Sequence, residues 1–189
     1  MLSYNEITLK KYVVLDNEPF EVLASHVFRK QQRKPVNQTK LRSLLSGRVV
    51  ERTFHQSETI PEADISKIDI MYLYSHRGEH WFCDPADPKS RFKLTESIVK
   101  DTPKYAKQNS IVSALRFGED IVGVEPPIKV ALLVKEAPPG VRGNTAQGGT
   151  KQVVLETGAT TNVPLFIEEG DVVRVNTETG AYVERVEKA

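Results

Sequence analysis

YVVLDNEPFEVLASHVF, Tyr12–Phe28, decides the fold. Tyr12–Leu15 is an aromatic and β-branched run. Asp16-Asn17-Glu18-Pro19 carries turn chemistry, and FEVLASHVF resumes the apolar pattern. That is strand, turn, strand. Working outward, VNQTKLRSLL runs to Ser46-Gly47, and RVVERTF opens another strand. Short β-rich segments with a turn about every ten residues predict a small barrel or sandwich.

A second unit is expected after ETIPEADI. It opens with IDIMYLYSHRGEHWFCD, an apparent hairpin turning near Arg77-Gly78. The one helix that the pattern predicts starts near Thr95 and includes Glu96, Ile98 and Val99, with Pro103 ending or kinking it. IVSALRFGEDIVGVEPP returns as two strands around Phe117-Gly118-Glu119-Asp120. A third unit begins at IKVALLVKEAPPGVRGNTAQGGTK and ends in further hairpins, with Val172-Val173-Arg174-Val175 and a turn at Thr179-Gly180. ETGA occurs at 156–159 and again at 178–181. The flanks share no fixed period, so these are two similar turns rather than a repeat. Three β-rich modules follow, residues 1–64, 65–128 and 129–189. Each is small enough to lean on its neighbours, which predicts an elongated arrangement.

The net charge of +1 on 189 residues conceals an asymmetry. Val22–Val50 holds no Asp or Glu, yet it contains Arg29, Lys30, Arg33, Lys34, Lys40, Arg42 and Arg48. Four of these cations sit in RKQQRKP, residues 29–35, between two predicted strands. A local basic cluster on a near-neutral chain points to a directed contact with a polyanion. The competing reading is a solvated charged hairpin. The N-terminus lacks a long apolar h-region, and no apolar run is long enough to cross a bilayer. One cysteine, Cys83, cannot form an internal disulfide, which fits a reducing compartment. The expected location is cytoplasmic, with no membrane contact.

No G-x-S-x-G, Walker loop or dinucleotide fingerprint is present. His76-Arg77-Gly78-Glu79-His80 matches H-x-x-E-H, but that zinc pattern needs a helix to bring i and i+4 onto one face. Here Gly78 lies among the strand formers Tyr72, Leu73, Tyr74, Trp81 and Phe82. Cys83 has no catalytic context and reads as a small buried residue. GVRGNTAQGG lacks the Lys-Ser/Thr ending of a P-loop. It reads as a loop whose glycines let backbone approach phosphates or bases. Neither catalytic residue, metal nor cofactor is expected.

LDNEPFEVLASHVF, TKLRSLLSGRVVERTF, YLYSHRGEHWF, PPGVRGNTAQGGTK and GATTNVPLFIEEGDVVRVNTETGAYVERV together resemble the bacterial translation elongation factor P family over essentially the whole chain. The resemblance implies an all-β fold: an SH3-like (KOW-type) N-terminal barrel followed by two OB-fold barrels, in an elongated, L-shaped, tRNA-like arrangement. It implies a non-enzymatic factor, acting as a monomer on the 70S ribosome between the P and E sites. Its partners would be rRNA and P-site peptidyl-tRNA, initiator or prolyl, and it would relieve stalling at consecutive prolines. The loop tip, Gln31, Gln32 and Arg33, would face the peptidyl-transferase centre, with Arg29, Lys30, Arg33, Lys34, Lys40 and Arg42 on RNA. The C-terminal OB loop, Gly143, Asn144, Thr145, Ala146, Gly148 and Gly149, would face the small subunit. Tyr182 and Arg185 match an aromatic-basic pair near the family's C-terminus and would contact the ribosome, with barrel packing the competing role for Tyr182.

The tip departs from the family pattern. An ungapped alignment between LASHVF and TKLRSLLSG puts Gln32 where the family carries a lysine or arginine that is often modified. Gln31 and Arg33 replace the flanking glycines. Glutamine has no amine or guanidinium to accept such a modification, though its amide both donates and accepts hydrogen bonds. Two alternatives accompany the factor reading: a diverged paralogue, and a general OB-fold RNA-binding protein using aromatic platforms.

Overall fold

The computed structural model describes residues 1–29, 34–139 and 149–189. Among them the chain is nearly all β. Its first strands are β1 (Leu2–Ser3), β2 (Tyr12–Leu15), β3 (Glu18–Phe28), β4 (Val36–Ser43), β5 (Val49–His55) and β6 (Thr59–Ile60). Next come β7 (Ile65–His76), β8 (Glu79–Cys83), β9 (Arg91–Thr95), β10 (Ile111–Phe117) and β11 (Asp120–Glu125). The last are β12 (Lys129–Glu136), β13 (Thr150–Leu155), β14 (Thr160–Pro164), β15 (Val172–Asn176) and β16 (Tyr182–Glu187). The sheets are ordered β2-β3-β4-β5, β1-β6, β11-β10-β7-β8-β9 and β14-β13-β12-β15-β16. No helix among the described residues is long and apolar enough to cross a membrane. The chain gathers into two compact units: residues 1–68 with 94–100 and 114–124, and residues 69–93 with 101–113 and 125–189.

In the first unit, Leu15 pairs directly with Glu18. Asp16 and Asn17 both take left-handed backbone, φ 52° and 64°. Two left-handed residues give the turn that matches the twist of the flanking strands, and Asp and Asn tolerate it best after glycine. Glu18 and Pro19, expected in the turn, already belong to β3. The core gathers Val13, Phe20, Val22, Leu41 and Phe54 with Leu2, Ile7 and Ile60. The predicted helix is a single turn, α1 (Glu96–Val99), and Pro103 lies in a separate 3-10 turn at Thr102–Lys104.

The inner face of β4 reads Asn37, Thr39, Leu41, Ser43, three of them polar and all buried. Each polar group finds a partner, as burial requires. Thr39 Oγ1 donates to Arg52 O at 2.8 Å. Asn37 Nδ2 donates to Tyr4 O at 2.6 Å and Ile7 O at 3.0 Å, and its Oδ1 accepts from Ser25 Oγ at 3.0 Å. Asn37 therefore ties the N-terminal segment to the β3–β4 hairpin. Asn37→Ala strands the Tyr4 carbonyl and leaves Ile7 O only the Ser25 hydroxyl at 2.7 Å; it is expected to cost roughly 1–2 kcal/mol. Chemical denaturation followed by circular dichroism measures this; an unchanged midpoint would remove the anchoring role.

In the second unit, β7 and β8 form the expected hairpin. Arg77 and Gly78 make its turn at φ 51° and 79°, and His76 pairs with Glu79. The H-x-x-E-H stretch therefore spans a hairpin turn rather than a helix. Tyr72 packs inward on Phe82 at 5.5 Å between ring centroids, and Phe82 on Phe92 at 6.1 Å. Cys83 is buried and free. Alternate residues of β12, β13 and β15 supply Leu132, Val134, Val153, Leu155, Val173 and Val175 to one core with Val163 and Ile167. Both ETGA segments are hairpin turns, but they close differently. Leu155 N bonds Ala159 O at 2.8 Å, whereas Asn176 N reaches one residue further, to Ala181 O at 2.9 Å.

Candidate nucleic-acid interface

The β3–β4 ladder runs without a break from Ala24↔Lys40 to Phe28↔Val36, a long two-stranded arm. Arg29 and Lys34 are exposed at its two stems. Lys30, Gln31, Gln32 and Arg33 lie outside the described residues. Beneath the tip, His26 and Phe28 share one strand face and stack at 5.7 Å with 23° between their planes. Sequence reasoning missed this pair; the signal was two ring-bearing residues at strand spacing just before the basic run.

The remaining cations divide by what they touch. Lys40 is exposed and stands opposite Glu51 in the ladder. Arg42 is half-buried, and its Nη2 bonds Glu21 Oε2 at 2.6 Å. Glu21 lies one residue before the acid-free stretch, so the charge pattern alone hid this partner. A guanidinium held by a cross-strand carboxylate braces the sheet and is less available to a phosphate. Arg52, on β5, lies 4.8 Å over the Phe54 ring, where its planar cation stacks on the aromatic face.

At the other end of the chain, Gly149 is described and leads into β13. Gly143, Asn144, Thr145, Ala146 and Gly148 lie outside the described residues. Tyr182 opens β16 opposite Val175 and packs partly buried against the C-terminal core. Arg185 Nη1 donates to Asp171 Oδ2 at 3.3 Å, and its guanidinium lies 5.2 Å over Phe166. Phe166 is 57% exposed and lines an open cleft of about 940 Å³ with Pro138, Pro139 and Lys151. Asp171 is buried, which pushes its carboxyl up. Backbone N–H groups of Glu168 and Ala189 and the Arg185 guanidinium outweigh burial and hold it below its ordinary value. No group of three or more metal-ligating side chains occurs among the described residues.

Two family descriptions match this chain. "Elongation factor P (EF-P) KOW-like domain" matches residues 3–60, and "Elongation factor P, C-terminal" matches residues 130–185. The chain belongs to the elongation factor P family. The Elongation factor P of Carboxydothermus hydrogenoformans is 36% identical over 186 residues, covering 98% of this chain and all of that one. That of Moorella thermoacetica is 36% identical over 185 residues, with the same coverage. A solved structure, eukaryotic translation initiation factor 5A from Methanococcus jannaschii, is 12% identical. It has a TM-score of 0.49, covering 65% of this chain and 86% of that one.

The family assignment makes this a translation elongation factor with a KOW-like N-terminal domain. That domain is the one that carries the β3–β4 arm.

Proposed function

We propose that this chain binds the ribosome between the P and E sites, holds P-site peptidyl-tRNA, and speeds peptide bond formation at consecutive prolines. The observation that carries this reading is the β3–β4 arm ending in the acid-free RKQQRKP segment. The arm would carry the tip toward the peptidyl-transferase centre, with Arg29, Lys30, Arg33 and Lys34 on RNA phosphates. The C-terminal segment Gly143–Gly149 would face the small subunit. The chain is then an accessory factor rather than an enzyme, acting as a cytoplasmic monomer, with domain boundaries near residues 64 and 128. Proline is a rigid, poorly placed reactant, and orienting the donor lowers an entropic barrier. About 1.4 kcal/mol of it is worth tenfold in rate.

Gln32 at the tip favours a second reading, a diverged paralogue whose altered loop serves another function. A reconstituted translation assay on a Pro-Pro-Pro message separates the two. Unmodified protein that restores full-length product supports the factor reading. A stall that persists with both unmodified and host-purified protein overturns it in favour of the paralogue.

A further inference from the structure

Tyr72 and Tyr74 are two residues apart on β7, and regular strand alternation would put both rings on one face. The ladder does otherwise. Tyr72 pairs with Phe82 but Tyr74 with Trp81, a register shift of one residue between them. This bulge re-aims Tyr74, as bulges beside functional sites do. Tyr72 stays 7% exposed in the core, while Tyr74 turns outward at 43% and stacks on Trp81, 6.2 Å between centroids and 24° between planes.

The same outer face carries charge. Lys93 Nζ bonds Glu79 Oε1 at 2.7 Å, which places Lys93 on the side of β8 that holds Glu79 and Trp81. Arg91, two residues before Lys93 on edge strand β9, shares that face by alternation and is exposed. Glu79 is matched by Lys93, and Arg91 adds a second cation beside that pair. Tyr74 also lines a cleft of about 360 Å³ with Pro103, Lys107, Gln108 and Thr157. Cross-strand ring pairs stabilise sheets wherever they occur. A pair turned outward by a bulge, beside a cation and a cleft, has the composition of a platform for single-stranded nucleic acid.

We propose that this ledge stacks an unpaired RNA base on Tyr74 and Trp81, with an adjoining phosphate on Arg91. The inference rests on the RNA-binding reading above and adds a second contact on the central strands, apart from the basic arm. Stacking is tolerant of base identity because every base presents a π face, so the ledge recognises an unstacked nucleotide rather than a sequence.

Trp81 is the only tryptophan in the chain, so its fluorescence reports on the ledge directly. The experiment titrates a short single-stranded oligoadenylate into full-length protein whose Arg29, Lys30, Arg33 and Lys34 are alanine, which silences the arm. Saturable quenching is expected. Tyr74→Ala should weaken binding about tenfold, and Tyr74→Phe should keep it. Arg91→Ala should lower the slope of log affinity against log salt by about one. A purely packing role predicts a lower melting temperature for Tyr74→Ala with unchanged RNA affinity. That result, absence of quenching, or equal losses in Tyr74→Phe and Tyr74→Ala overturns the proposal. Proline-stall rescue by the parent protein is scored alongside. Rescue without quenching overturns the ledge alone, and quenching without rescue overturns the factor reading alone.

Discussion

With Arg29, Lys30, Arg33 and Lys34 all replaced by alanine, ribosome association is expected to lose much of its salt dependence and proline-stall rescue to fall with it. Each phosphate contact contributes about 0.7–0.9 to the slope of log affinity against log salt, so four contacts remove about three. A slope of three corresponds to roughly 60-fold in affinity between about 50 and 200 mM salt. Arg42→Ala is the internal control. Its guanidinium is held by Glu21 within the sheet, and breaking a partly exposed pair costs under about 1 kcal/mol. The four-alanine variant should thus lose ribosome binding at unchanged stability, while Arg42→Ala should keep both nearly intact. Ribosome pelleting across a salt series measures the first, and denaturant titration the second. If Arg42→Ala proves as damaging to binding as the loop variant, the arm is not the specific contact.

Much of this molecule was legible because its hairpins announce themselves. Asp16-Asn17 and Arg77-Gly78 adopt left-handed backbone that few residue pairs accept, and the strands beside them follow from the two-residue period. The C-terminal core was legible for the same reason, since its valines alternate. What stayed hidden was of two kinds. The polar inner face of β4 looks like a solvent face in sequence, because nothing local shows that Tyr4 and Ile7 carbonyls will come to Asn37. The bulge in β7 inverts the face of Tyr74 without altering composition, so alternation misplaces the ring. At the arm, the charge pattern gave the right segment but not the division of labour. Arg42 looked equivalent to Arg29 until the ladder set it across from Glu21. Arg185 likewise read as an outward contact, although its guanidinium already bridges Asp171 and Phe166.

That bridge makes Asp171 the residue whose loss should destabilise the C-terminal strands most. Its carboxylate is 1% exposed and accepts from Glu168 N at 3.0 Å, Ala189 N at 2.9 Å and Arg185 Nη1 at 3.3 Å. Three donors, one of them cationic, favour the charged form more than burial disfavours it, so the folded-state value lies below the unfolded one. The sign of the pH dependence follows. The folded state binds the Asp171 proton less readily than the unfolded state. The stabilisation is therefore complete above the unfolded value, about 3.9, and is lost as pH falls through the lower folded value. Asp171→Asn keeps the shape and removes the charge, weakening charge-assisted bonds to ordinary ones and leaving an amide nitrogen facing a donor. It is expected to cost about 2 kcal/mol at neutral pH. As pH falls through the lowered folded value the wild-type carboxyl itself becomes neutral, so the difference between wild type and Asp171→Asn should shrink toward zero. Denaturant titrations of both proteins from neutral to acid pH measure that difference. A gap that stays constant across the range would show that geometry, not charge, holds β15 and β16 at this point, and that Arg185 is free to act elsewhere.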